Sequence, residues 1–286
     1  MKFGFSLLGL SPRWYGEVAR GAEEAGFDSV WVQEHVVFPA EMPNTYPYSK
    51  DGSPGIGPRT PLIDPWIALT TIANATQKLR LASNVYVLPL RSPFVTARAA
   101  VTLDRLSGGR LSLGVGVGWL QPEYEAMGVE WKGRGRRMDE IIEIMQRLWS
   151  EETIAHEGEF YRFAPVCFEP KPLQKPSIPL HIGGESAPAK RRAARVGAGW
   201  IMTYLGATEE VAQKTAEVHA MRSEYGRSDT PFEITGSVPR DVSVDQLRAY
   251  RAAGVDRVIV DALGSRSAQD VVDVLRAFQA DTLSKF

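Results

Sequence analysis

Asp28-Ser29-Val30-Trp31-Val32-Gln33 sets three large apolar residues side by side, Val30, Trp31 and Val32. A strand with one wet face alternates apolar with polar residues; an unbroken run is the pattern of a strand covered on both faces. Such strands belong to parallel sheets with helices packed over them. Gly26, just before the run, reads as the stop of the preceding helix.

The same alternation continues outward in both directions. Upstream, a strand is predicted over Lys2 to Leu8, followed by a helix that begins at Ser11-Pro12, a cap residue and an N1 proline. Downstream, helices are predicted over Asp64 to Gln77, Pro93 to Leu106 and Met138 to Glu151, with strands over Leu79 to Leu88 and Arg110 to Val117. In the last of these helices Ile141, Ile144, Met145 and Leu148 share one face. Strands over Leu180 to Gly183, Trp200 to Tyr204, Phe232 to Val238 and Arg257 to Asp261 alternate with helices over Ala187 to Val196, Glu209 to Tyr225, Val244 to Ala253 and Ala268 to Ala280. Eight βα units in 286 residues predict a (β/α)8 TIM barrel, an α/β fold occupying residues 1–286 as a single domain. A doubly wound open sheet is the alternative, because repeated units do not by themselves require closure.

Two stretches interrupt the rhythm. Residues 36–61 follow the second strand and hold six prolines and three glycines, together with Phe38, Tyr46 and Tyr48. A loop this long in a compact domain is typically a lid, and after a barrel strand it lies on the C-terminal face, where barrel active sites sit. Residues 156–179, with Phe160, Tyr161 and Phe163, are expected to form a hairpin insertion.

Composition narrows the partners. Apolar residues make up 44% and charged residues 23%, an ordinary globular balance. Lys plus Arg (33) nearly equals Asp plus Glu (34), so the net charge of −1 argues against a nucleic-acid or membrane-surface partner. One cysteine, Cys167, cannot form an intramolecular disulfide, and no run reaches the ~18 apolar residues of a spanning helix. A soluble cytoplasmic protein is expected.

The four histidines, His35, His156, His181 and His219, lie far apart and form no H-x-H or H-E-x-x-H, so no metal site is expected. A G-x-S-x-G elbow is lacking, and Gly114-Val115-Gly116-Val117-Gly118 has neither the spacing nor the position of a dinucleotide fingerprint. Four features at strand ends carry chemistry. Glu34-His35 puts an acid and an imidazole beside the lid, where they suit proton transfer near neutral pH; a rim histidine bonded to the loop is the plain alternative. Asn84-Val85 breaks strand three with an amide residue that strands disfavour, which suggests a bulge or a ligand contact. Gly183-Gly184-Glu185-Ser186 opens a helix at which backbone N–H groups favour a phosphate, and Lys190, Arg191, Arg192 and Arg195 follow it. Finally, glycines such as Gly116 along strand four would let a planar ligand approach closely, and Trp119 at its end would wall a pocket or pack in the core.

These segments resemble the luciferase-like monooxygenase superfamily of flavin and deazaflavin enzymes, from Phe3 to about Leu275. The resemblance is carried by Gly26–His35, by Thr102-Leu103-Asp104-Arg105-Leu106-Ser107-Gly108-Gly109-Arg110, by Leu113–Trp119 and by Ile182-Gly183-Gly184 through Gly197-Ala198-Gly199-Trp200. The proline-rich lid and the Gly118-Trp119 pair look like the actinobacterial subgroup that uses coenzyme F420, a 5-deazaflavin. The resemblance implies a catalytic His35 with Glu34 as its acidic partner. It implies a cofactor-binding Asn84-Val85 bulge behind the ring, often a cis peptide, and a phosphate loop at Gly183, Gly184 and Ser186. Tyr46, Tyr48 and Trp119 would line the substrate pocket, and the basic helix would meet the cofactor's polyglutamate tail. Sugar-phosphate dehydrogenases of this kind carry a glutamate where this chain has Trp119, which disfavours that activity. The expected reaction is F420-dependent hydride transfer to or from a small, largely apolar organic substrate, in a homodimer. An FMN-dependent monooxygenase and a non-catalytic flavin-binding protein on the same barrel are the alternatives.

Overall fold

Parallel ladders run the whole way round the sheet and meet. The computed structural model describes residues 1–261 and 266–286. In chain order its elements are β1 (Lys2–Ser6), α1 (Tyr15–Glu24), β2 (Ser29–Val32), α2 (Pro65–Ala75), β3 (Arg80–Ser83), β4 (Tyr86–Val87), α3 (Pro93–Leu106), β5 (Leu111–Gly116), α4 (Gln121–Ala126) and α5 (Arg134–Ser150). There follow β6 (Thr153–Glu157), β7 (Arg162–Cys167), β8 (Leu180–Gly183), α6 (Ala187–Val196), β9 (Gly199–Tyr204), α7 (Thr208–Glu224), β10 (Glu233–Val238), α8 (Val244–Ala252), β11 (Arg257–Asp261) and α9 (Ala268–Asp281). β1 pairs with both β2 and β11, and β3 pairs with both β2 and β5. β5 continues to β8 and on through β9 and β10 to β11, which closes the barrel and excludes the open sheet.

The Val30-Trp31-Val32 run lies inside this barrel: all four residues of β2 are buried. Its side chains point alternately outward and inward, as in any strand. Val30 and Val32 join the large core beneath the helices with Val18, Leu69, Ile72 and Ile141. Trp31 joins Ala82, Ile201 and Ile259 in a small separate cluster, and Val85 packs on it.

A polar layer stands near the strands' N-terminal ends. Arg257 donates to Glu233 at 2.8 and 3.1 Å and to the Ser29 hydroxyl at 2.6 Å, and Lys2 reaches Glu233 at 2.7 Å. Burial disfavours a charge on Glu233, yet Arg257 and Lys2 hold its carboxyl down at about 2. Burial also holds the His181 imidazole, T-stacked on Trp31, down at about 4. Both groups have depressed native values, so each stabilises the fold above its unfolded value and loses that contribution as the pH falls. The window runs from 6.5 to about 4 for His181 and from 4.5 to about 2 for Glu233. His181→Gln is therefore expected to flatten the upper limb of acid destabilisation and leave the lower one. Urea midpoints followed by circular dichroism between pH 7 and pH 3 check this; an unchanged upper limb would remove His181 from the account.

Several boundaries differ from the sequence expectation. Strand three is cut into β3 and β4 at Asn84-Val85, whose peptide bond is cis. The region after β5 holds an additional helix, α4, too short and too polar to show a periodic apolar face. α5 begins at Arg134 and not at Met138, because its first turn is built of Arg and Gly. The hairpin insertion is present, but its antiparallel pair starts at Thr153, opposite Cys167. Glu140 on α5 anchors it, accepting from the Phe160 and Tyr161 amides at 2.9 and 2.8 Å.

Candidate active site

The C-terminal ends of the strands open into a cavity of about 1420 Å³, roofed by residues of the 36–61 loop. Pockets for single small ligands usually measure ~300–1,000 Å³, so this one has room for a ring system and a second reactant. His35, Glu34, Tyr46, Tyr48, Asn84, Val85, Gly116, Trp119, Gly183, Gly184, Glu185 and Ser186, the residues singled out in the sequence, all border it.

His35 is the third residue after β2. Its Nδ1 is 2.8 Å from Oε2 of Glu123, whose other oxygen accepts from the Val36 amide at 2.6 Å. Glu123 is fully buried. A carboxylate acceptor at Nδ1 selects the tautomer with its proton there, leaving Nε2 free to exchange a proton. Phe38 and Trp119 pack against the imidazole, with ring centroids 4.9 and 5.9 Å away. Glu123 was not singled out in the sequence, since it sits 88 positions from its partner. The one available signal was an acid next to the first-turn proline of a helix immediately after Gly118-Trp119.

Glu34 turns the other way. Its carboxylate pairs with the Arg91 guanidinium and accepts from the Val87 amide at 2.7 Å. Burial, with the nearby Glu123 charge, pushes its carboxyl up against the pull of Arg91 and the amide. Each oxygen has a partner, so Glu34 ties the segment after β2 to β4 and to Arg91.

Val85 is the knob of the site. A Cβ added at Gly116 would come within 2.6 Å of its Cγ2, and one added at Gly183 within 2.7 Å of its Cγ1. The glycines of β5 and β8 thus make way for Val85. At Gly116 the missing Cβ admits a neighbouring side chain, and both Gly116 and Val85 border the cavity.

Across the mouth, Trp119 packs edge-on against Tyr46 at 5.2 Å, and Tyr46 against Tyr48 at 5.3 Å. The Tyr48 hydroxyl accepts from the Glu185 amide at 3.4 Å. Burial raises both tyrosine hydroxyls, so they stay protonated. The Glu185 carboxylate is held by Lys214 at 2.5 Å and by the Thr203 amide at 3.3 Å. Ser186 caps α6, accepting from the Ala189 amide at 3.4 Å. α6 borders the cavity through Ala189, but its basic side chains do not line it. Lys190 pairs with Glu217, while Arg192 and Arg195 both pair with Asp139, at 2.8 and 2.7 Å. Consecutive charges on a helix fan out around its axis, and here three of the four are spent on α5 and α7.

A closed parallel barrel with a lidded, histidine-bearing cavity on its C-terminal face, seated on a cis-peptide bulge, matches the sequence pattern of luciferase-like monooxygenases over residues 5–277. The chain belongs to that family of flavin- and deazaflavin-dependent oxidoreductases and monooxygenases. A Mycobacterium tuberculosis protein is 35% identical over 94% of each chain. An FMNH2-dependent dimethylsulfone monooxygenase from Pseudomonas putida is 31% identical over 67% of this chain and 53% of its own length. An F420-dependent glucose-6-phosphate dehydrogenase from Nakamurella multipartita is 31% identical over 71% of this chain and 56% of its own. Two solved structures share the fold at a TM-score of 0.79 over 100% of this chain and 99% of theirs. They are the monooxygenase RslO1 from Streptomyces bottropensis, at 23% identity, and the F420-dependent tetrahydromethanopterin reductase from Methanopyrus kandleri, at 16%. Among the described residues no helix is long and apolar enough to cross a membrane.

Proposed function

We propose that this protein is a coenzyme F420-dependent oxidoreductase that moves a hydride to or from a small, largely apolar organic substrate. The observation that carries the reading is the buried His35–Glu123 pair on the wall of a cavity seated on Val85. The residues fit a planar ring: Val85 gives an apolar seat, and the volume admits a second molecule beside it. A bound deazaflavin would supply or accept the hydride, while the barrel would orient it and keep water out. His35 exchanges a proton at Nε2 as charge develops on the substrate, and Glu123 holds the imidazole in register and offsets its positive charge. Tyr46, Tyr48 and Trp119 close the mouth with apolar surface, which favours an apolar substrate. In the Gly183–Ser186 loop the Glu185 amide goes to Tyr48 and the Gly184 amide to the Ile201 carbonyl, so the Ser186 amide and the N-terminus of α6 are what would meet a cofactor phosphate.

The similarity to an FMNH2-dependent monooxygenase supports a second reading with FMN as cofactor. Titrating the protein with coenzyme F420 and with FMN, followed by cofactor fluorescence, separates the two. Micromolar affinity for F420 and at least tenfold weaker binding of FMN is the expected result. Tight FMN binding with none of F420 would overturn the first reading in favour of the second.

A further inference from the structure

Among the described residues three lysines and arginines border the cavity, and they differ in how their charge is met. Lys214 is neutralised by Glu185 and Glu210, at 2.5 and 2.6 Å. Lys50 is exposed on the lid. Arg134 is half-buried, and among the described residues no carboxylate lies within ion-pair distance of it; Glu125, a cavity-lining acid of α4, is taken by Gln121 at 2.9 Å. The Arg134 guanidinium lies flat on Trp131, 3.5 Å from the ring centroid. Its Nε is buried with no partner, and its one hydrogen bond is a long 3.5 Å contact from Nη1 to the Trp131 carbonyl. Removing a guanidinium from water without an acceptor is unfavourable, and here burial already disfavours its charge. Arg80, Arg110, Arg192 and Arg257 show the usual remedy, each with two or more acceptors. The helix that Arg134 opens, α5, has no side-chain cap and no acid in its first turn, and the nearby Glu159 is taken by Arg136 at 2.8 and 2.9 Å.

We propose that Arg134, stacked on Trp131, is an oxyanion-binding residue of the cavity and takes a carboxylate or phosphate group of the bound molecule. This rests on the oxidoreductase reading above and adds an anionic group to what the site must recognise. A planar fork held flat on an indole matches the geometry of a carboxylate or phosphate edge. Two sources share that chemistry. One is the phosphate and glutamate carboxylates of the coenzyme, since the segment after β5 neighbours the Gly183–Ser186 loop after β8 around the barrel. The other is a carboxylate on an otherwise apolar substrate, since Trp131, Pro122 and the lid prolines border the same cavity.

Calorimetric titration of wild type and Arg134→Gln decides. The probes are coenzyme F420, the same deazaflavin bearing only its ribityl chain, and benzoate against benzyl alcohol on cofactor-free protein. If the coenzyme supplies the anion, Arg134→Gln weakens F420 by about ten- to a hundredfold and leaves the ribityl compound unchanged. If the substrate supplies it, F420 binding is unchanged and the wild-type preference for benzoate disappears in the variant. Affinities for all four probes within twofold of wild type overturn the proposal. Should Arg134→Gln not fold, Arg134→Lys keeps the charge without the fork and is expected to show a smaller loss on the same probe; wild-type affinity there, with no dependence on ionic strength, also overturns it. Wild type that binds neither F420 nor FMN would defeat the oxidoreductase reading, while the benzoate comparison would still test Arg134.

Discussion

Replacing His35 with alanine is expected to lower turnover by about 10²–10⁴-fold while leaving cofactor affinity within a few-fold. The imidazole is only 11% exposed, its Nδ1 is fixed by Glu123 at 2.8 Å, and Phe38 and Trp119 hold its ring, so Nε2 is its one free reactive atom. Removing the ring deletes a proton donor and acceptor from the cavity wall without touching Val85 or the glycine loop. Glu123→Gln separates the roles. An amide still accepts a hydrogen bond but carries no charge, so it no longer stabilises the imidazolium. kcat should then fall by a larger factor than KM rises. Steady-state kinetics between pH 5 and pH 9 provide the measurement. A Glu123→Gln enzyme with a wild-type profile would reduce Glu123 to a packing role, and an active His35→Ala enzyme would remove His35 from the chemistry.

The second large effect is expected at Gly183. Adding one methyl there places a carbon 2.7 Å from Val85 Cγ1, while Gly116 already confines Cγ2 from the other side. Valine has few χ1 rotamers to escape into, so the strand-three bulge must shift or the side chain must swing into the cavity. Overpacking of this kind costs about 1–3 kcal/mol, so Gly183→Ala should melt several degrees lower. It should also bind cofactor at least tenfold more weakly, because the displaced Val85 occupies the ring's seat. The double variant Gly183→Ala/Val85→Ala removes the collision and should recover most of the melting temperature. If it melts as low as the single variant, the clash is not the cause.

The barrel was legible in the sequence because each strand is a short apolar run closed by a glycine or a cap, and because such runs alternate with periodic helices. Glu34-His35, Asn84-Val85 and Gly183-Gly184 were legible for a related reason: each is a local departure from strand grammar at a strand's C-terminal end. What escaped was pairing across the chain. Glu123 looks like one more acid in a short polar helix until the barrel sets it under His35. The basic stretch beginning at Lys190 looked like an anion site because Asp139 and Glu217, which consume it, are far away in sequence. Arg134 went unremarked for the converse reason: a missing partner leaves no trace in a sequence.

The placement of Val85 has one more consequence. It packs on Trp31, Ala82, Ile201 and Ile259, so the seat of the site is an outcrop of the barrel's own interior. The roof is attached differently, to the rim: the Val36 amide on Glu123, Phe38 on His35, Trp119 against Tyr46, and the bond from the Glu185 amide to Tyr48. Val85 thus rests on the barrel, while the loop beyond Phe38 touches the rim. A loop of different length or sequence there is expected to leave Val85 in place, which makes residues 39–61, rather than the whole lid, the handle for changing what the cavity accepts.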